Sequence, residues 1–206
     1  MKKKLFFIVL LICFKNFAQN NPKIAFQKSR YELALDYYEK ADYKKAIDLF
    51  YIASKIKPDN EIGQESTKKV DTLKAILRES LLKQAIGIWK LVGDKPVWSA
   101  TQNVKASKEG FETLIEIKED EIVSYEKNIK TQEKKVIKSE KLVYYSENKS
   151  DAMYSDIILS DGTVWNCTIN DGSDELHVIN IGHMADGHIE KITSNNTERF
   201  FVKVEK

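Results

Sequence analysis

Over residues 23–84 the apolar positions recur every three or four residues, the spacing that gathers them on one side of a helix. Beyond Ile86 they alternate with polar residues or form short β-branched and aromatic runs, the pattern of strands. Helices followed by strands, without interleaving, predict an α+β chain, with a helical domain over 22–84 and a strand domain over 86–206. Eight or nine candidate strands occupy 86–92, 111–118, 121–127, 134–145, 153–159, 164–169, 175–181, 188–193 and 199–204. The sequences Ser160-Asp161-Gly162, Asn170-Asp171-Gly172 and Ala185-Asp186-Gly187 separate several of them, and Asp-Gly suits the positive backbone angles of tight hairpins. Short connections join antiparallel neighbours, and a meander of this size commonly removes its edges by closing into a barrel, here of about eight strands, the rival being another antiparallel sheet, a half-barrel or a sandwich.

The helical part carries a more specific pattern. Leu33 is followed by Ala34, Tyr37, Tyr43, Ala46, Phe50, Ala53 and Pro58. The alanines are small where two antiparallel helices would cross, Leu33, Tyr37 and Phe50 would fill the space beside them, and Pro58 cannot continue a helix. This spacing resembles one tetratricopeptide (TPR) repeat over residues 27–60. It departs from that family at Arg30, where a large apolar residue is preferred, and at Ala41, where the turn prefers glycine. Asp59 or Asn60 would cap a third helix running to about Gln84, with Val70, Leu73, Leu77 and Leu81 on one face. One repeat and a closing helix are too short for the concave groove of longer arrays, so the helices are expected to pack on the second half or on another copy of the chain. A homo-oligomer stays open on that ground.

At the start of the first strand, Gly87-Ile88-Trp89 resembles the Gly-x-Trp signature of the lipocalin family. The resemblance covers roughly residues 86–206 and implies an eight-stranded barrel whose closed end is plugged by Trp89, with Gly87 beside it and a late basic residue, Arg199 or Lys203, across the indole. In the second strand Phe111, Thr113, Ile115 and Ile117 face one way and Glu112, Glu116 and Lys118 the other, a polar face that Leu114 interrupts. Other runs, at Tyr144-Tyr145, Ile157-Ile158-Leu159 and Phe200-Phe201-Val202, are apolar on both faces. Such a barrel either fills with side chains or holds one small ligand. Phe111, Ile115, Tyr125, Tyr145 and Ile158 are the expected lining for a small apolar ligand.

The leader changes the charge. Residues 1–18 hold Lys2, Lys3, Lys4 and Lys15 and no acid; without them 29 basic residues face 31 acidic ones, so the formal net charge moves from +2 to −2. Three lysines, the apolar run 5–14 and the small Ala18 read as a cleaved secretory signal, since ten apolar residues fall short of the roughly 20 that span a bilayer as a helix. Cys13 allows a lipoprotein reading, weakened by Ile12 where that motif needs a small residue. Cleavage leaves Cys167 as the lone cysteine and no intramolecular disulfide. The expected address is the periplasm or the exterior of a Gram-negative cell. A near-neutral mature chain gives no electrostatic case for nucleic acid, and no later segment is long enough to span a membrane.

No glycine-rich phosphate loop and no Gly-x-Ser-x-Gly occurs. His177, His183 and His188 lie within twelve residues, with Asp186 in the intervening turn, but lack the short ligand spacing of metal sites. Asp151, Asp156, Asp161, Asp171 and Asp174 read as turn residues, and Cys167 as a small apolar group in a strand. Neither a catalytic residue, a cofactor nor a metal is expected. The sequence predicts an exported, non-catalytic binding protein whose barrel recognises a small apolar ligand or a protein, with the helices as an interaction or orienting unit. The alternative is an assembly subunit of an envelope complex with a filled barrel.

Overall fold

The computed structural model describes residues 22–97, 99, 107–143, 153–186, 188–194 and 196–204. Three helices come first: α1 Pro22–Glu39, α2 Tyr43–Ile56 and α3 Glu61–Ala85. Compact units divide within α3, one reaching to Lys74 and the other spanning Ala75–Lys206.

In the helical unit, Ala34, Ala46, Phe50 and Ala53 are fully buried, because small side chains let α1 and α2 approach. Tyr31 and Tyr38 pack edge-on to Phe50, with ring centroids 5.7 and 6.4 Å away. They occupy the place expected of Leu33, which is 37% exposed. Pro58 is exposed after α2 and Tyr37 is half-buried beneath the Lys45 ammonium. Between α1 and α2, Asp42 N–H donates to Tyr37 O and Ala41 N–H to Tyr38 O, a Schellman closure that puts Ala41 at φ 58°. The residue at the position where glycine is preferred thus adopts the backbone that favours glycine. Asn60 caps α3 by accepting from Gly63 N–H at 2.8 Å. Gly63 has no room for a side chain, since a Cβ there would stand 2.1 Å from Lys57 O.

The strands are β1 Gly87–Pro96, β2 Phe111–Ile117, β3 Glu121–Asn128, β4 Lys134–Val143, β5 Asp156–Leu159, β6 Thr163–Ile169, β7 Glu175–Ala185, β8 His188–Lys191 and β9 Thr197–Lys203. Consecutive strands pair antiparallel from β1 to β8, and β9 lies between β7 and β1. That closes a ring of eight strands, β1 to β7 with β9. β8 is the upper half of the last stave. It pairs with β7 from Ala185 to Gly182, Ile192 N–H still donates to Ile181 O at 3.0 Å, and β9 resumes with Ile179 opposite Glu198. Nine strands therefore form eight staves, the last one interrupted.

The ring is continuous only near the start of β1. β1 pairs with β2 from Gly87 to Lys90, and β4 pairs with β5 only at Leu142 and Val143. Above those rungs, among the described residues, β2, β3 and β4 pair only among themselves, and β4 is exposed on both faces over Lys134–Ser139. Within the second unit, Leu81, Leu82 and Ala85 of α3 join the core cluster of strand residues. Ile86 N–H donates to Leu82 O at 3.1 Å, so one residue separates the helix from β1.

Candidate functional site

The barrel floor follows from strand alternation. Trp89 and Leu91 of β1, Ile115 and Ile117 of β2, Trp165 and Cys167 of β6, Val178 of β7 and Phe201 of β9 belong to one buried cluster. The register supports a shared inward face, since Trp89 pairs with Ile115, Leu91 with Phe201 and Cys167 with Val178. Burial pushes the Cys167 thiol pKa up, with the Asp156 carboxylate adding to it. The recess among Arg78, Leu82, Leu142, Val143, Asp156, Ile157 and Ile158 holds ≈ 10 Å³, no more than about one water requires.

Trp89 is fully buried, and its indole N–H donates to Ala85 O at 2.7 Å. The Lys203 Nζ stands 5.0 Å from the ring centroid and donates to Gln84 O at 3.2 Å. Gly87, at φ 140°, makes room for this arm: a Cβ there would lie 3.0 Å from Lys203 Cε. Lys203, and not Arg199, is the cation over the indole. Register decides this, because Lys203 pairs with Trp89, whereas Arg199 stands four residues away opposite Asp94 and Val178.

Above the floor the inward face turns polar. Arg199 pairs with inward Val178, Asp94 pairs with Arg199, and Asn180 pairs with inward Trp165. Thr113 follows Ile115 by one pleat, and Ser124 is opposite Ile115. Arg199 is exposed and the other four are half-buried, so an accessible polar tier overlies a filled apolar floor. Phe111, one further pleat along β2, is half-buried beside it.

The remaining candidate lining residues separate. Ile115 belongs to the floor. Tyr125 is on the opposite face, its hydroxyl donating to Glu116 Oε2 at 2.7 Å and its pKa raised by that carboxylate and by burial. Ile158 lies opposite Ile157 and Leu159, in a second small cluster with Val164 and Met184. A strand apolar on both faces serves two clusters, which is why its sequence alone does not reveal which residue points inward. Tyr145 lies outside the described residues.

The outer wall explains the break at Leu114. It is 4% exposed between its cross-strand neighbours Lys90 and Tyr125. Lys90 Nζ reaches Glu112 at 2.6 Å, and that hydrogen bond leads the causes that hold the Glu112 carboxyl below the ordinary carboxylate range. His177 is also on the outer wall, stacked on Phe200 at 4.7 Å with Nε2 3.3 Å from Glu198. Among the described residues, no group of three or more His, Cys, Asp or Glu side chains could hold a metal ion.

Two features had little sequence signal. Asp94 enters the inner tier because a register shift between Leu91 and Gly93 changes the phase of β1. Gln27 is fully buried in the helical unit, where its Nε2 approaches Ala53 O, Lys57 O and Asn60 Oδ1 at 2.9–3.1 Å. An open groove of ≈ 530 Å³ lined by Pro22, Lys23, Phe26, Lys55 and Ile56 completes that unit's surface. No described helix is long and apolar enough to cross a membrane.

No protein-family model matches the sequence, and no curated protein matches it. Solved structures similar to the chain include the cockroach allergen Per a 4, at 9% identity over 61% of this chain and 69% of that one, with a TM-score of 0.35. Apocrustacyanin C1 is 11% identical over 63% of this chain and 69% of its own, and apocrustacyanin C2 is 9% identical over the same shares, each with a TM-score of 0.31. The eight-stranded antiparallel barrel itself rests on the strand register described above.

Proposed function

We propose that this chain is an exported, non-catalytic binding protein whose upper barrel takes a small ligand. The observation that carries this reading is the accessible inward tier of Asp94, Thr113, Asn180 and Arg199 above a floor closed by Trp89 and Trp165. A filled floor confines the ligand to the mouth, so the recognition is more polar than the apolar strand runs suggest. The basic, apolar leader supports export. The TPR-like spacing of Ala34, Ala46 and Ala53 supports the helical unit as the part that joins a partner. Native mass spectrometry of protein purified from its own host tests the reading. A bound small molecule released on unfolding supports it. A ligand-free protein that stays in a fixed stoichiometric complex sinks it.

That outcome is the second reading, an assembly subunit of the envelope. Its support is the packing of Trp89, Trp165, Leu176 and Phe201, none more than 8% exposed, which leaves the lower barrel to side chains.

A further inference from the structure

Two neighbouring rungs of the β1–β9 ladder carry the same combination of charges on opposite faces. Lys95 and Glu198 share the outer face and form an ion pair at 3.4 Å. Asp94 and Arg199 share the inner face, one rung away, yet neither side chain forms a hydrogen bond or ion pair with any described residue. Cross-strand neighbours of opposite charge ordinarily approach each other. Here they stand side by side in the open tier, the hydrogen-bonding capacity of each side chain unused, with Val178 of the apolar cluster beside Arg199 on the next strand.

We infer that Asp94 and Arg199 form a two-sign site for a small zwitterion, with Arg199 taking a carboxylate and Asp94 an ammonium. The ligand class is a free α-amino acid or a compound with the same pair of groups on one carbon. A single anion would meet Arg199 but be repelled by Asp94, and a single cation the reverse. Only a ligand carrying both satisfies the rung. Guanidinium offers a planar fork that matches a carboxylate in two parallel hydrogen bonds, and Asp94 accepts from the ammonium. Asn180, two residues along β7 from the Val178 that pairs with Arg199, adds a neutral donor and acceptor. Glu126, the other acid on this tier, stands on β3 with Lys135 as its rung neighbour.

This inference rests on the binding-barrel reading, and the test separates the two. Backbone amide shifts of the full chain are followed in titrations with norleucine, norleucinamide, hexanoate and hexanol, which carry both charges, the cation, the anion and neither. Norleucine is expected to bind at least about tenfold more tightly than either singly charged probe, a difference of about 1.4 kcal/mol, and to move amides of β1, β7 and β9. R199Q should bring norleucine to the level of norleucinamide, and D94N to that of hexanoate. Hexanol or hexanoate binding as well as norleucine at the same amides overturns the two-sign site and leaves the binding barrel standing. No probe moving any of these amides overturns the zwitterion site, while a co-purifying ligand of another class would still uphold the barrel's role. Should either variant fail to fold, the four-probe comparison on the unaltered protein decides alone.

Discussion

The Lys203 ammonium lies 5.0 Å from the centre of the Trp89 ring, and the same nitrogen donates to Gln84 O. One side chain from the last strand therefore covers the first strand's indole and satisfies a carbonyl near the end of α3. Trp89 meets the helix independently through its hydrogen bond to Ala85 O. The closed end is held by a helix end, a first strand and a last strand joined at one aromatic ring.

Replacing Trp89 with Ala should cost about 3–5 kcal/mol, because a fully buried aromatic leaves both lost transfer energy and a cavity. Lys203→Met keeps most of the aliphatic arm and removes the charge, so the expected loss is about 0.5–2 kcal/mol. Chemical denaturation reads both. A Lys203→Met variant as stable as the parent would show that the ammonium contributes nothing at the closed end.

Gly87→Ala tests the same corner from the backbone. At φ 140° a side chain is strained, and its Cβ would meet Lys203 Cε at 3.0 Å. A loss of about 1–3 kcal/mol is expected. Indole fluorescence would report the displaced cation over Trp89. Unchanged stability would mean that β1 begins with a different backbone from the one described.

Acid should weaken the outer wall through Glu112. Its folded carboxyl pKa is lowered, first by the Lys90 hydrogen bond and then by the charges of Lys90 and Lys127, against the opposing effect of burial. A lowered folded pKa gives stability that is complete above the unfolded value of about 4.3 and is lost as pH falls through the folded value. Glu112→Gln should be less stable than the parent at neutral pH, and the two should converge in acid. Parallel stability profiles across that window would mean that the Glu112 carboxylate contributes nothing to the outer wall.

The periodicities made both halves legible. Sequence strands at 111–118, 121–127 and 164–169 correspond within a residue or two to β2, β3 and β6. What alternation could not supply was phase. The register shift after Leu91 turns Asp94 inward, and β5 is buried on both faces, so Ile158 and Ile157 serve different clusters. Nor could composition reveal that β8 and β9 form one stave, because the interruption between them is ordinary loop sequence. The choice between Arg199 and Lys203 needed the pairing of a late strand with an early one. Local pattern does not encode that register. Gln27 escaped detection for a different reason: a buried amide reads as a surface residue until its carbonyl partners at Ala53 and Lys57 are known.

Cys167 gives a kinetic test of the floor. It is 2% exposed, its Sγ lies 3.9 Å from Trp165 O, and burial disfavours the reactive thiolate. Alkylation followed by peptide mass spectrometry should leave Cys167 unmodified in the folded protein and modify it fully in denaturant. Rapid labelling without denaturant would show that the barrel wall opens at β6.

The helical turn offers a prediction with the opposite sign. Ala41 sits at φ 58° in the Schellman closure of α1, where a Cβ crowds the following carbonyl and only glycine is free of that cost. Its side chain is exposed, so removing the methyl group forfeits little packing. Ala41→Gly should therefore stabilise the helical unit by about 1 kcal/mol, the left-handed penalty of about 1–2 kcal/mol less part of glycine's greater chain entropy. In an ordinary helix-interior position the same change destabilises by about 0.5–1 kcal/mol, so sign alone decides. Thermal unfolding followed by helical circular dichroism makes the comparison, with Ala46→Gly as the control that should lose stability at a buried crossing. If Ala41→Gly also lowered the midpoint, the turn would not hold its left-handed residue at Ala41, and the hydrogen bond from Asp42 N–H to Tyr37 O would not form as described.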